Sequence, residues 1–199
     1  MQVINQEYFQ RPQALKKARG EKVVEISDVA TARAEANSGI KAQLLFKLAS
    51  NGGIANPKPD VLSAGTTIIR FSRGPFIDKL AGGEWWLDMA GNKLVESYAD
   101  RHGYSIQEAL SRLCAVPPEW NDMTLKVQFK TLAPLSVYRG FGKDAFYEER
   151  KTGHVKRGKV DSLDGRKVEQ LYIPGLNHPD LRRRALIDRG SVHMPAFKR

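Results

Sequence analysis

Arg70 and Ser72 stand two apart in TTIIRFS, a β-branched run that reads as a strand. Successive strand residues point to opposite faces, so Ile68, Arg70 and Ser72 share one face and Thr67, Ile69 and Phe71 the other. A guanidinium offers a planar fork of donors suited to phosphate, and it stays charged at any working pH. The chain then turns through Arg73-Gly74-Pro75 and reaches Gly82-Gly83-Glu84-Trp85-Trp86. There glycine lets backbone approach a ligand closely, and the indoles offer flat stacking surfaces. Two adjacent tryptophans on an extended segment point opposite ways, so one is expected in the core and one toward solvent or ligand. Late in the chain, VEQLYIP sets a carboxylate beside an amide. Glu169 shares a face with Leu171 and Ile173, and Gln170 with Val168 and Tyr172; alternation does not say which face lines a cleft.

Other chemistries find little footing. The sequence holds no GxxxxGK[ST], no GxGxxG after a strand, no HExxH, no GxSxG and no EF-hand loop. His102, His154, His178 and His193 are scattered without ligand spacing, and Cys114 is the only cysteine, so no metal site and no internal disulfide is expected. Cys114 lies in an apolar helical pattern and reads as a quiet core thiol. The formal net charge is +10, and residues 139–199 carry 15 Lys and Arg against 8 Asp and Glu. Such a surface suits nucleic acid, an acidic protein or an anionic surface, or simply a solvated basic exterior. No apolar run is long enough to span a bilayer, and the polar start MQVINQEYFQ lacks a secretory core, so the chain is expected to be made in the cytoplasm.

Three regions position these residues. Residues 1–60 read as an N-terminal helical extension, with helices over 12–19, 29–37 and 40–48, a short piece at 22–26, and a linker at 56–60. Residues 61–176 form the core. Phe76, Ile77 and Leu80 suggest a short helical piece, residues 92–101 a helix, and Ser105-Ile106-Gln107-Glu108 a capping box that opens another. From Leu125 the period becomes two, predicting strands at 125–130, 135–139 and 168–173, with a charged irregular stretch from 142 to 164 and a helical turn near 145–150. Residues 177–199 are a basic tail with a short helix through LRRRALI. Strands that mostly follow the helices imply an α+β domain.

Taken in order, TTIIRFS, GGEWWL, PLSVYRGFG and EQLYIPG resemble the ADP-ribosyltransferase-like toxin and effector fold over about residues 65–176. That family carries an arginine, often followed by Ser or Thr, on its first core strand, then an aromatic segment, helices, and a Glu or Gln on a late strand. The resemblance implies a split, mixed β core with flanking helices that binds NAD as substrate. Arg70, Glu169 and Gln170 are the expected catalytic residues, and Arg70, Ser72, Gly83, Trp85, Trp86 and Tyr98 the cofactor-binding ones. It is also similar to NAD glycohydrolase toxins of the same fold, whose late-strand residue is Gln, and comparison with the family pattern favours Gln170 at the cleft. Lys167 stands two before Glu169, so the Glu-x-Glu pair of arginine-directed transferases is missing.

The function so implied is an NAD-dependent ADP-ribosyltransferase of toxin or effector type, delivered by a specialised route and modifying a macromolecular target. Its basic surface would meet an acidic target or immunity partner. The alternatives are an NAD glycohydrolase toxin and a basic nucleic-acid-binding protein that stacks bases on Trp85, Trp86, Tyr138 and Phe141.

Overall fold

A computed structural model describes residues 2–21, 52–72, 82–117, 121, 123–151, 154–160 and 168–194. The helices expected at 29–37 and 40–48, the piece at 22–26 and the turn at 76–80 lie outside the described residues. The protein is α+β. Helices α1 (Gln6–Phe9) and α2 (Pro12–Ala18) precede strands β1 (Lys58–Leu62), β2 (Thr67–Ser72) and β3 (Trp85–Asp88). Helices α3 (Met89–His102) and α4 (Ile106–Cys114) follow, then β4 (Leu125–Thr131), β5 (Leu135–Phe141), β6 (Ala145–Lys151), β7 (His154–Val160) and β8 (Glu169–Tyr172). Helix α5 (Pro179–Ala185) and β9 (Leu186–His193) complete the described chain. Seven strands form one sheet in the order β1-β5-β8-β3-β2-β4-β9, and β6 and β7 make a separate hairpin. Where a mixed strand core was expected, every described ladder is antiparallel.

Period-two alternation places β4 as its sequence requires: Leu125, Val127 and Phe129 are buried, while Lys126, Gln128 and Lys130 are not. Across the β2 ladder these apolar residues meet Ser72, Arg70 and Ile68 in turn. Together with Trp86, Leu135, Val137 and Leu171 they build one core face. The other face is covered by α3 and α4, whose Val95, Ala99, Leu110 and Leu113 pack with Leu87, Met123 and Val168. Because both faces are covered, Ile68 and Ile69 are both buried although they point opposite ways.

The helices start where their caps dictate. The Asp88 carboxylate accepts from Gly91 N at 2.7 Å and opens α3 directly out of β3. In α4 the Ser105 hydroxyl accepts from Glu108 N at 3.2 Å, and the Glu108 carboxylate accepts from Ser105 N at 2.9 Å. This is the reciprocal box that the sequence predicts. Ser105→Ala removes half of it and should cost about 1 kcal/mol, read as a fall in melting temperature of about 2–4 °C; an unchanged midpoint would show that the cap is dispensable. The N-terminal helices lie over Tyr138, Tyr172 and Trp85, with Phe9 stacked on Tyr138 at 4.5 Å. The buried Asn5 side chain donates to Ser136 O and Pro174 O and accepts from Ser136 N, tying this segment to the sheet.

Three expectations give way. Lys58 to Asp60, expected as linker, begin edge strand β1 against β5. Pro59 is tolerated because an edge strand needs its N–H groups on one side only. The stretch expected to be irregular with a helical turn near 145–150 is the β6–β7 hairpin. The short helix in the tail is α5, but Leu186–His193 then pairs with β4 as the other sheet edge, exposed from Ile187 onward. Among the described residues no helix is long and apolar enough to cross a membrane.

Candidate functional site

The site arises where two strands part. β2 and β3 pair only at Ile68↔Asp88 and Ile69↔Leu87. Beyond that point β2 stays with β4 through Ser72, while Trp85 and Trp86 pair with Tyr172 and Leu171 of β8. The sheet therefore opens between Arg70–Phe71–Ser72 and Trp85–Trp86, and a cavity of about 650 Å³ occupies the opening. Its far wall comes from α4 and the residues after it, and the end of α2 closes one side with Lys17 and Gly20.

Arg70 is the main charged feature of this cavity. Its Nη1 donates to the Trp85 carbonyl at 3.3 Å, and its Cζ lies 5.9 Å from the Trp86 ring centre. Its Nε is buried and finds no hydrogen-bond partner among the described residues. Burial pushes the guanidinium down to about 10, partly offset by the charge of Glu84. Gly83 makes the room: a Cβ there would fall 1.3 Å from Arg70 Nη1. The Gly83 carbonyl accepts from the Trp86 indole at 2.8 Å, which locks that ring into the core.

The tryptophans divide as alternation requires. Trp86 is 2% exposed, edge-on to Phe129, and still contributes to the cavity lining. Trp85 is half-buried, lines the cavity and tilts against Tyr172 at 5.1 Å. Trp86 and Tyr138 are thus both buried, so Trp85, Trp86, Tyr138 and Phe141 do not form one exposed stacking platform.

On β8 the two candidate residues part company. Gln170 is buried, lines the cavity, and donates from Nε2 to the carbonyl of Cys114 at 2.8 Å, at the end of α4. Gly142 leaves the space for that amide, since a Cβ there would lie 2.4 Å from Nε2. Glu169 points to the other face and pairs with Arg139 at 3.4 Å. It does not line this cavity. Arg139 also holds Asp88 at 2.6 Å and Asp60 at 2.9 Å. Burial lowers the Arg139 guanidinium, but these carboxylates outweigh it and hold the group above its ordinary value. Arg139 thereby locks β5 to β1 and to the end of β3.

Ser72, also buried, lines the cavity beside Arg70. Tyr98 does not: it lies on α3 against His102 at 4.4 Å and Tyr104 at 5.9 Å. Cys114 is in the wall, where burial pushes its thiol up to about 12, so it stays protonated and unreactive. Among the described residues no cluster of His, Cys, Asp and Glu could hold a metal ion.

Two cavity residues went unread in the sequence. Glu84 accepts from the Tyr172 hydroxyl at 2.9 Å and from Gly175 N at 2.9 Å. Tyr172 is raised by burial and by Glu84, and remains a donor. The only sequence signal for Glu84 was its position between the paired glycines and the paired tryptophans.

No family model matches the chain, and no curated protein matches it in sequence. Among solved structures the chain aligns with one from the structure of Tne2 in complex with Tni2. The two share 13% identity, and the alignment covers 71% of this chain and 95% of that one at a TM-score of 0.36.

Proposed function

We propose that the cavity between β2 and β3 binds NAD and that the protein breaks its nicotinamide–ribose bond, with water taking up the ADP-ribosyl group. The observation that carries this reading is Arg70, a residue of the wall of a cavity of about 650 Å³ whose guanidinium is buried and lowered by desolvation, with Nε unpartnered among the described residues. Such a group gains most from a dianion, and the pyrophosphate of a dinucleotide can take its fork bidentately. Ser72 is close enough in the same wall to orient a ribose, and Trp85 supplies a ring face for nicotinamide or adenine. Gln170 in the cavity, with Glu169 outside it, supports hydrolysis over transfer, because an amide orients a ribose hydroxyl without activating a second acceptor. Transfer of ADP-ribose to a macromolecule is the same bond cleavage with a different acceptor. The toxin or effector setting, and an acidic partner for a chain of net charge +10, belong to this proposal.

The test is nicotinamide release from NAD by the purified protein, with labelled NAD and lysate in a parallel arm. Free ADP-ribose alone supports hydrolysis, and label on a lysate component supports transfer. ADP-ribose at a hundredfold excess over its dissociation constant should add about 2.7 kcal/mol of stability. Absence of both release and stabilisation at micromolar protein would overturn the reading. Cleavage should change little between low and physiological salt, unlike phosphate-driven nucleic-acid binding, which weakens steeply.

A further inference from the structure

We infer that Glu84 is the carboxylate that faces the positive charge of the substrate. This inference rests on the NAD-cleavage reading above. NAD carries charge of both signs, a pyrophosphate dianion and a pyridinium cation, and the cavity does too. Arg70 and Glu84 both line it, yet they form no ion pair within 4 Å; Glu84 acts on Arg70 only through the longer-range attraction that partly offsets its desolvation. Each is held apart by other partners. Arg70 is anchored on the Trp85 carbonyl, and Glu84 on the Tyr172 hydroxyl and on Gly175 N.

Each Glu84 oxygen accepts one of those hydrogen bonds and keeps further lone pairs, since a carboxylate has about four acceptor sites. Lys17, also in the lining, lies 3.9 Å from Glu84 but is 44% exposed, so water screens that attraction. Gln170 is neutral and Glu169 is on the opposite face with Arg139. Glu21 is the other acidic residue in the lining, and its charge acts on Lys143, which lies outside the lining. Glu84 is therefore the carboxylate braced within the cavity.

The chemistry needs such a group. The bond from nicotinamide nitrogen to ribose C1 breaks, and its electron pair leaves with neutral nicotinamide. C1 takes an oxygen from water, and one proton passes to solvent. Positive charge moves onto the ribose ring in the transition state, and a fixed carboxylate stabilises it without having to reorganise.

The closing experiment compares wild type with Glu84→Gln and Tyr172→Phe, measuring kcat and KM for nicotinamide release, ADP-ribose affinity and melting temperature. Glu84→Gln keeps the shape and removes the charge. It should lower kcat about 10²–10³-fold, while ADP-ribose, which has no pyridinium, binds within about threefold of wild type. Tyr172→Phe keeps the charge and loosens one brace, so its kcat should fall far less at a comparable loss of stability. Glu84→Gln with kcat within threefold of wild type overturns the assignment to Glu84 and leaves NAD cleavage standing. Equal losses in kcat and ADP-ribose affinity for both variants, tracking their melting temperatures, would make Glu84 a structural brace and also overturn it. A wild type that neither binds ADP-ribose nor releases nicotinamide overturns the NAD reading itself.

Discussion

Arg70→Met should abolish nicotinamide release and leave the protein as stable as before, or more so. The two halves of that result have one cause. Arg70 keeps its charge in a site that strips its water, and burial brings its guanidinium from its ordinary value down to about 10. Holding the charge there costs stability on the order of 3 kcal/mol. The compensation is small: one donor reaches the Trp85 carbonyl at 3.3 Å, and Nε finds no partner among the described residues. Methionine fills the stem's volume against Trp86 without the charge, and uncharged replacement of a poorly compensated buried ion is neutral or stabilising in other proteins. With substrate present the balance reverses. A bidentate guanidinium–phosphate contact made of two charge-assisted bonds, each worth about 1.5–3 kcal/mol, implies a loss of at least 10²-fold in kcat/KM. Thermal unfolding and nicotinamide release on the same preparation decide it. A melting temperature that drops by more than about 5 °C would show Arg70 to be a structural arginine, with the loss of activity following from unfolding.

Gly83→Ala should disable the site from a residue with no functional group. An alanine Cβ would sit 1.3 Å from Arg70 Nη1 and 1.7 Å from its Cζ, so both cannot be where they are. The backbone at Gly83 is outside the left-handed region, so alanine brings no conformational strain there. The part that can give is the far end of the arginine side chain. The guanidinium is expected to swing off the Trp85 carbonyl and out of line with a bound pyrophosphate. Activity should fall about 10²-fold, the scale of misplacing one anchoring group, with stability within about 1 kcal/mol of the parent. In an Arg70→Met background the same change should cost little more, because the group it displaces is gone. Full activity in Gly83→Ala would mean that the working position of Arg70 differs from the one described.

Much of the local structure is legible in the sequence because it depends on neighbours along the chain. The alternation of Leu125, Val127 and Phe129 with Lys126, Gln128 and Lys130 reads as a strand since one face must be buried. Ser105 and Glu108 announce α4 because each needs only the other's backbone. The edge strands are not legible. β1 begins in Asn-Pro-Lys-Pro, which has turn chemistry, and β9 is exposed along nearly its whole length, so neither shows an apolar face. Each is a strand only because β5 or β4 offers it a ladder from far away in sequence.

The site divides along the same line. By itself the sequence determined which chemical groups were available and which excluded one another. Arg70 and Ser72 had to share a face, Trp85 and Trp86 had to part, and Glu169 and Gln170 could not both reach one cleft, because strand geometry alternates with a fixed period. Only the tertiary structure decided that Gln170 rather than Glu169 faces the cavity, and that both tryptophans line it, Trp86 from the core and Trp85 half-buried. β8 lies between β5 and β3, so Glu169 meets Arg139 while Gln170 reaches the end of α4. The same packing parts β2 from β3 after two residue pairs, desolvates Arg70 in the gap, and brings Tyr172 to Glu84 across 88 residues. These are contacts between segments that no local pattern relates, and they form only when the sheet assembles.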